Sequence, residues 1–417
     1  MEKNYQNIGY DDFDDCIAEF HNGNLLLGVY EFGFRKPSQI QSKTIEPIKD
    51  GRDLIAQAQS GSGKTGAFII GAYTKIDPNK KYPQALIVAN SRELATQIKD
   101  VGEEIGKYIN SKICLCIGGI DDEKGNTIEN NLKIAKISQI LVCTPGRLNG
   151  LMRIDNTLLD NLNILILDEA DELLSDDFIE QIKPIWGNIR SKTQICLFSA
   201  TSNSSSVQSI KYENGFIKNP VEIFIDDDKI KIDTIKNYVV DAQKYHKKFG
   251  VLMNLYKNIN ICQSVIFVNT INNANMLSKK LEKQGHSVGV LHSDLTHKDR
   301  ILTMKKFRNT AIRVLIATDV IARGIDIEKV GLIINYDVPF GNKFHEQYLH
   351  RVGRSGRYGK LGVAINIVTD DRKEWDRLES ISQKYKVEFY ELPSLEKINL
   401  YLSGVNGYSY GDTQNSN

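Results

Sequence analysis

Leu54-Ile55-Ala56-Gln57-Ala58-Gln59-Ser60-Gly61-Ser62-Gly63-Lys64-Thr65 runs from a short apolar segment through a Gly/Ser turn to a Lys-Thr pair, and residues 67–72 read as the start of an apolar helix. The stretch matches the phosphate-binding pattern G-x-x-x-x-G-K-[ST], with Ala58 at the first glycine. Gly61 and Gly63 permit a tight turn whose N–H groups face an anion at a helix N-terminus. Lys64 is then expected to hold the β- and γ-phosphates of a nucleotide, and Thr65 to offer its hydroxyl to Mg2+. The rival reading is a Gly/Ser loop of no function, and the order strand, turn, Lys-Thr, helix weighs against it.

Outward from this loop, short β-rich apolar runs alternate with stretches of helical length. They fall at 54–58, 85–90, 113–117, 140–144, 164–168 and 195–199, then at 264–269, 287–292, 314–319, 332–337 and 363–368. Such runs lack polar alternation, which suits strands covered on both faces and therefore parallel sheets with crossover helices. The expected fold class is α/β, with two tandem domains, each a mainly parallel sheet covered by helices. A length of 417 residues fits two domains, since one domain takes roughly 100–200. The break is read near Asn219-Pro220 and Asp226-Asp227-Asp228-Lys229. The expected boundaries are an N-terminal segment at 1–41, a first domain at 42–222, a linker at 223–234, a second domain at 235–395 and a flexible tail at 396–417.

A composition of 41% hydrophobic and 25% charged residues excludes a disordered or collagen-like chain. No apolar run approaches the ~18–20 residues of a membrane span, and from the polar start no secretory leader is expected. An intracellular protein, cytoplasmic or nuclear, is expected. The net charge of +1 conceals an asymmetry: residues 1–220 hold 24 basic and 29 acidic side chains, residues 221–417 hold 29 and 23. Chance asymmetry between two solvated surfaces explains this as readily as function does. The six cysteines form no C-x-x-C pair, so free buried thiols are expected rather than disulfides or zinc ligands.

Downstream, Ile164-Leu165-Ile166-Leu167 ends in Asp168-Glu169-Ala170-Asp171. Carboxylates at a strand's C-terminal end lie where open α/β sheets bind ligands. Asp168 can orient Mg2+ and its waters, and Glu169 can position and deprotonate an attacking water.

At these residues the sequence resembles the DEAD-box RNA helicases of superfamily two, over roughly residues 10–390, and the resemblance implies two RecA-like domains. Gly33-Phe34-Arg35-Lys36-Pro37-Ser38-Gln39-Ile40-Gln41 is similar to the family's adenine-reading segment. It implies that Gln41 reads the adenine edge, that Phe34 contacts its face, and that Lys36 lies at the nucleotide with Ala58, Gln59, Ser60, Gly61, Ser62 and Gly63. Ser199-Ala200-Thr201 is similar to the motif that couples hydrolysis to strand separation, with Asp171 and His350 as its implied partners. Ser91, Arg92, Gly118, Gly119, Thr144 and Arg147 resemble the first-domain RNA contacts, and Asn269, Thr318 and Arg323 those of the second. In His350-Arg351-Val352-Gly353-Arg354-Ser355-Gly356-Arg357 the spacing of three puts Arg351, Arg354 and Arg357 on one helical face or loop edge. The resemblance implies that Arg354 and Arg357 are arginine fingers for the γ-phosphate, and that Gly324 and Asp326 meet the ATP ribose.

Two departures stand out. A segment usually written P-T-R-E-L-A is here Asn90-Ser91-Arg92-Glu93-Leu94-Ala95, and loss of the proline is expected to loosen an RNA-binding loop. In a pair usually written Q-x-x-R, His297 precedes Arg300. Neither touches the hydrolytic groups. The resemblance implies ATP and Mg2+ as cofactors, RNA bound without sequence preference as single strand or short duplex, a scaffold protein gripping both domains, and a monomer with no membrane contact. It implies RNA-stimulated ATP hydrolysis coupled to local, non-processive unwinding, and the flanks are most similar to the translation-initiation subgroup. An ATP-gated RNA clamp with little unwinding needs the same site and stays open as the alternative.

Overall fold

The computed structural model describes residues 5, 9–58, 61–118, 127–176, 178–200, 217–225, 235–259, 263–319, 330–342, 344–353, 355, 362–393 and 398. The chain divides into two compact units, Met1–Asp226 and Asp227–Asn417. In the first, strands β1 (Leu54–Gln57), β2 (Ala85–Val88), β3 (Ile113–Cys116), β4 (Ile140–Cys143), β5 (Ile164–Asp168), β6 (Gln194–Ser199) and β7 (Val221–Phe224) form a sheet in the order β3-β4-β2-β5-β6-β1-β7. In the second, β8 (Ile235–Asp241), β9 (Ser264–Phe267), β10 (Val288–Leu291), β11 (Val314–Ala317), β12 (Leu332–Asn335), β13 (Gly362–Val368) and β14 (Phe389–Glu391) follow the order β10-β11-β9-β12-β13-β8-β14. Within each sheet, the described neighbours pair in parallel. Two tandem RecA-like α/β units are therefore the fold.

The apolar runs form the central strands because every residue of β2, β4, β5 and β9 is buried on both faces. Three strands fall outside those runs. β7 and β14 are sheet edges with exposed positions, and β8 mixes buried and half-buried residues, so none reads as a continuous apolar run. β7 also carries the first sheet to Phe224, past the expected boundary at 222. Most of the expected linker and tail lie outside the described residues. Cys16, Cys114, Cys116, Cys143 and Cys196 are buried free thiols. Among the described residues, no helix is long and apolar enough to cross a membrane.

In the second unit, helix Phe344–Val352 brings Arg351 into the interior, where it is fully buried. Its guanidinium forms a fork with Asp319 (2.5 and 2.7 Å) and donates to Asp337 O (2.7 Å), Asn335 Oδ1 (3.3 Å) and Asn269 Oδ1 (2.9 Å). That uses all the N–H donors of an arginine. Arg351 therefore belongs to the core; Arg354 and Arg357, grouped with it by their spacing, lie outside the described residues. Arg351→Met leaves Asp319 and two amides without their donor; we expect a loss of about 3–5 kcal/mol, and Arg351→Lys rescues little because an ammonium lacks the fork. Denaturant unfolding measures both.

Candidate functional site

The phosphate loop lies between β1 and helix Lys64–Thr74, which begins directly at the lysine. Gly61 (φ 77°) and Gly63 (φ 100°) take left-handed backbone, as the tight turn requires. Ala58 at the pattern's first glycine is accommodated: it is buried, and its N–H donates to Ser199 O at 3.2 Å, tying the loop's entry to the end of β6. The Lys64 ammonium donates to Ala58 O. Gln59 and Ser60 lie outside the described residues.

Asp168 closes β5, the central strand of the sheet, and its carboxylate is buried. Burial, and secondarily the neighbouring Glu169, push its pKa up to about 7 against the pull of Lys64. Glu169 follows with φ 51°, a region that costs a non-glycine residue energy and recurs at functional sites. Its N–H donates to Asp168 Oδ1 at 3.0 Å, and its Oε2 accepts from Asn90 Nδ2 at 2.6 Å. Asp171 lies half-buried in the short helix Ala170–Leu173, and Ser199 is buried at the end of β6. Their implied partner Thr201 lies outside the described residues, and His350 lies in the second unit, in helix Phe344–Val352.

Gln41 is buried at the start of helix Gln39–Lys49. Its Oε1 accepts from Ser38 N (2.9 Å) and its Nε2 donates to Gly63 O (3.2 Å). Ser38 Oγ accepts from Gln41 N at 3.5 Å, completing a capping box. The spacing S-x-x-Q at 38–41 is a sequence signal for that box, which the motif reading passed over. An added Cβ at Gly66 would approach Gln41 Nε2 within 2.6 Å and Phe34 Cε2 within 2.7 Å, so this glycine admits the segment onto the loop. Phe34 stacks on Phe13 (6.3 Å) and meets Phe32 edge-on (4.9 Å), while Lys36 is exposed.

The first-unit RNA candidates share one edge of the sheet. Ser91 Oγ caps helix Arg92–Ile105 by accepting from Leu94 N at 3.3 Å. Arg92 Nη2 lies 3.9 Å from where a Cβ of Gly118 would stand, and Arg147 Nε donates to Ile117 O at 3.0 Å. Thr144 precedes helix Pro145–Ile154 at the end of β4. At Asn90-Ser91, where loss of the proline is expected to loosen the loop, Asn90 is tied to Glu169 and Ser91 caps the helix. In the second unit, Asn269 turns its amide inward, donating to Val338 O at 2.8 Å and accepting from Arg351. Asn269 itself stays half-buried just past the end of β9. Thr318 is buried, and its N–H donates to Leu291 O at 3.1 Å. Gly119, Arg323, Gly324, Asp326, Arg354 and Arg357 lie outside the described residues, as does the His297 side chain.

The residues fit a nucleotide with a hard cation. Ser62 Oγ is buried with no hydrogen-bond partner among the described residues, the loop glycines leave room for an anion, and the oxygen donors Thr65 and Asp168 suit Mg2+. This site defines a P-loop ATPase on tandem RecA-like domains. Residues 38–210 match the DEAD/DEAH box helicase family and residues 247–359 the helicase conserved C-terminal domain. The ATP-dependent RNA helicase eIF4A of Lodderomyces elongisporus is 41% identical, covering 94% of this chain and 95% of its own. The eIF4A of Candida glabrata is likewise 41% identical, over the same shares of the two chains. The structure of S. cerevisiae Dbp5 bound to RNA and ADP BeF3 matches with a TM-score of 0.83 at 33% identity, covering 94% of this chain and 100% of that one. The chain belongs to the DEAD/DEAH box helicase family. It is an ATP-dependent RNA helicase of the DEAD-box type, similar to eIF4A.

The raised pKa of Asp168 sets a pH dependence. An unfolded aspartate titrates near 3.9 and the folded one at about 7, so between these values the folded state binds more protons. Stability from this group therefore falls as pH rises through that window. Asp168→Asn removes the penalty: the nucleotide-free variant melts several degrees above the wild type at pH 8 and much closer to it at pH 5, and it does not hydrolyse ATP. Melting curves across pH test this.

Proposed function

We propose that this helicase hydrolyses ATP with Mg2+ at the β1/β5/β6 edge, stimulated by RNA held along the adjoining β2–β3–β4 edge. The observation that carries the reading is the convergence of the Lys64 loop, Asp168–Glu169 and the Gln41 amide at one sheet edge. Lys64 exchanges its bond to Ala58 for the β- and γ-phosphates. Thr65 and Asp168 would hold Mg2+, which neutralises charge developing on the phosphates. Glu169 orients the attacking water and accepts its proton as the bond to the γ-phosphorus forms and the bond from that phosphorus to the bridging oxygen breaks, ADP leaving with that oxygen. Gln41 keeps donor and acceptor capacity beyond its two internal bonds for the adenine edge.

Arg354 and Arg357 supply the remaining positive charge, and Gly324 and Asp326 meet the ribose. Ser91, Arg92, Gly118, Gly119, Thr144, Arg147, Thr318 and Arg323 grip the phosphodiester backbone, which carries no sequence information. Single strands and short duplexes are the substrates, opened locally and non-processively. The likeness to eIF4A supports a cytoplasmic role in translation initiation; a monomeric chain with a scaffold partner completes the proposal. The relatives' shared description favours a helicase over the ATP-gated clamp.

The test is RNA-stimulated ATPase beside displacement of a short duplex. Glu169→Gln keeps ATP and RNA affinity while turnover drops about a hundredfold or more; near-normal turnover in this variant rules the base out. In the full chain, Arg357→Ala costs the RNA-stimulated rate about a thousandfold, and an unchanged rate removes the finger.

A further inference from the structure

We propose that Asn90 is a positioning residue for Glu169, acting from the position directly before the RNA-contacting Ser91 and Arg92. The inference rests on the reading of Glu169 as the base. β2 and β5 pair in parallel with Val88 opposite Leu167. Extending that register by two residues sets Asn90 across from Glu169, so the contact follows from the sheet itself. The Asn90 Nδ2 to Glu169 Oε2 distance is 2.6 Å. With the amide reversed, Oδ1 would face a carboxylate oxygen at that distance, and two acceptors repel, so only the donor orientation is tenable.

Glu169 starts from a strained backbone (φ 51°), and a side chain on such a turn gains most from a fixed partner. Asn90 is itself fixed: Ala89 before it is buried and donates to Cys143 O at 2.9 Å, and Ser91 after it caps a helix. A proline here, as in the pattern this segment resembles, has no side-chain donor. The tie therefore comes with the asparagine, the same substitution that departs from the pattern.

The experiment is steady-state and single-turnover ATPase with saturating RNA on the full chain, using Asn90→Ala, Asn90→Asp, Asn90→Gln, Glu169→Gln and the double variant N90A/E169Q. Asn90→Ala should lower kcat about tenfold, the worth of one hydrogen bond to a charged group, with KM for ATP and RNA affinity within about twofold. Asn90→Asp keeps the shape and removes the donor, so it should be at least as slow. Asn90→Gln keeps an amide on a longer arm and should recover part of the rate. In the Glu169→Gln background, adding N90A should change single-turnover hydrolysis little, because coupled residues are non-additive. The proposal is overturned if Asn90→Ala retains kcat, if its loss falls on KM, if Asn90→Asp matches the wild type, or if N90A costs the same in both backgrounds. Wild-type turnover in Glu169→Gln alone would instead overturn the base assignment.

Discussion

A carboxylate buried at the end of the central strand is the constraint from which the first unit's chemistry follows. Asp168 sits where β5 ends, in a low-dielectric setting that resists its charge, and Glu169 beside it adds a second negative group. Burying a carboxylate beside a second one is unfavourable unless positive charge arrives. Lys64 supplies part of it, and a divalent cation with its nucleotide would supply more. The loop that carries Lys64 is in turn shaped by two left-handed glycines and locked to the adenine-reading segment by the Gln41 amide. Nucleotide identity and phosphate binding are thus one connected piece of structure.

The second unit treats a buried charge in the opposite way. Arg351 has a protein partner for every donor and requires nothing from outside. Its network binds the ends of β9, β11 and β12 together and turns Asn269 inward. One buried charge is disfavoured by its surroundings and is the proposed cation holder; the other is satisfied and becomes structure. Spacing cannot tell these apart, because side-chain direction depends on which face of helix Phe344–Val352 meets the sheet.

What was legible in the sequence follows the same division. Central strands show as apolar runs because both faces are covered, and the Lys64–Thr65 and Asp168–Glu169 pairs show because phosphate and cation chemistry demand those groups at strand ends. The edge strand β14 was hidden because exposure breaks the run, and β8 because its burial is mixed. The partnership of Asn90 with Glu169 was hidden for another reason. It joins residues 79 apart in sequence, and only the sheet order, with β2 beside β5, brings them together.

That partnership changes the meaning of a departure from the family pattern. Read along the chain, replacing proline by asparagine removes a backbone restraint, since proline fixes φ, and a looser RNA segment follows. Read across the sheet, the same replacement adds a side-chain donor at the position opposite the hydrolytic carboxylate. The second effect answers the first: the segment is held through its side chain to Glu169 and through Ser91 to the following helix. Ser91, proposed to contact RNA, and Glu169, proposed to contact the attacking water, are then separated by one peptide bond and one hydrogen bond, a path short enough for displacement of either to be felt by the other.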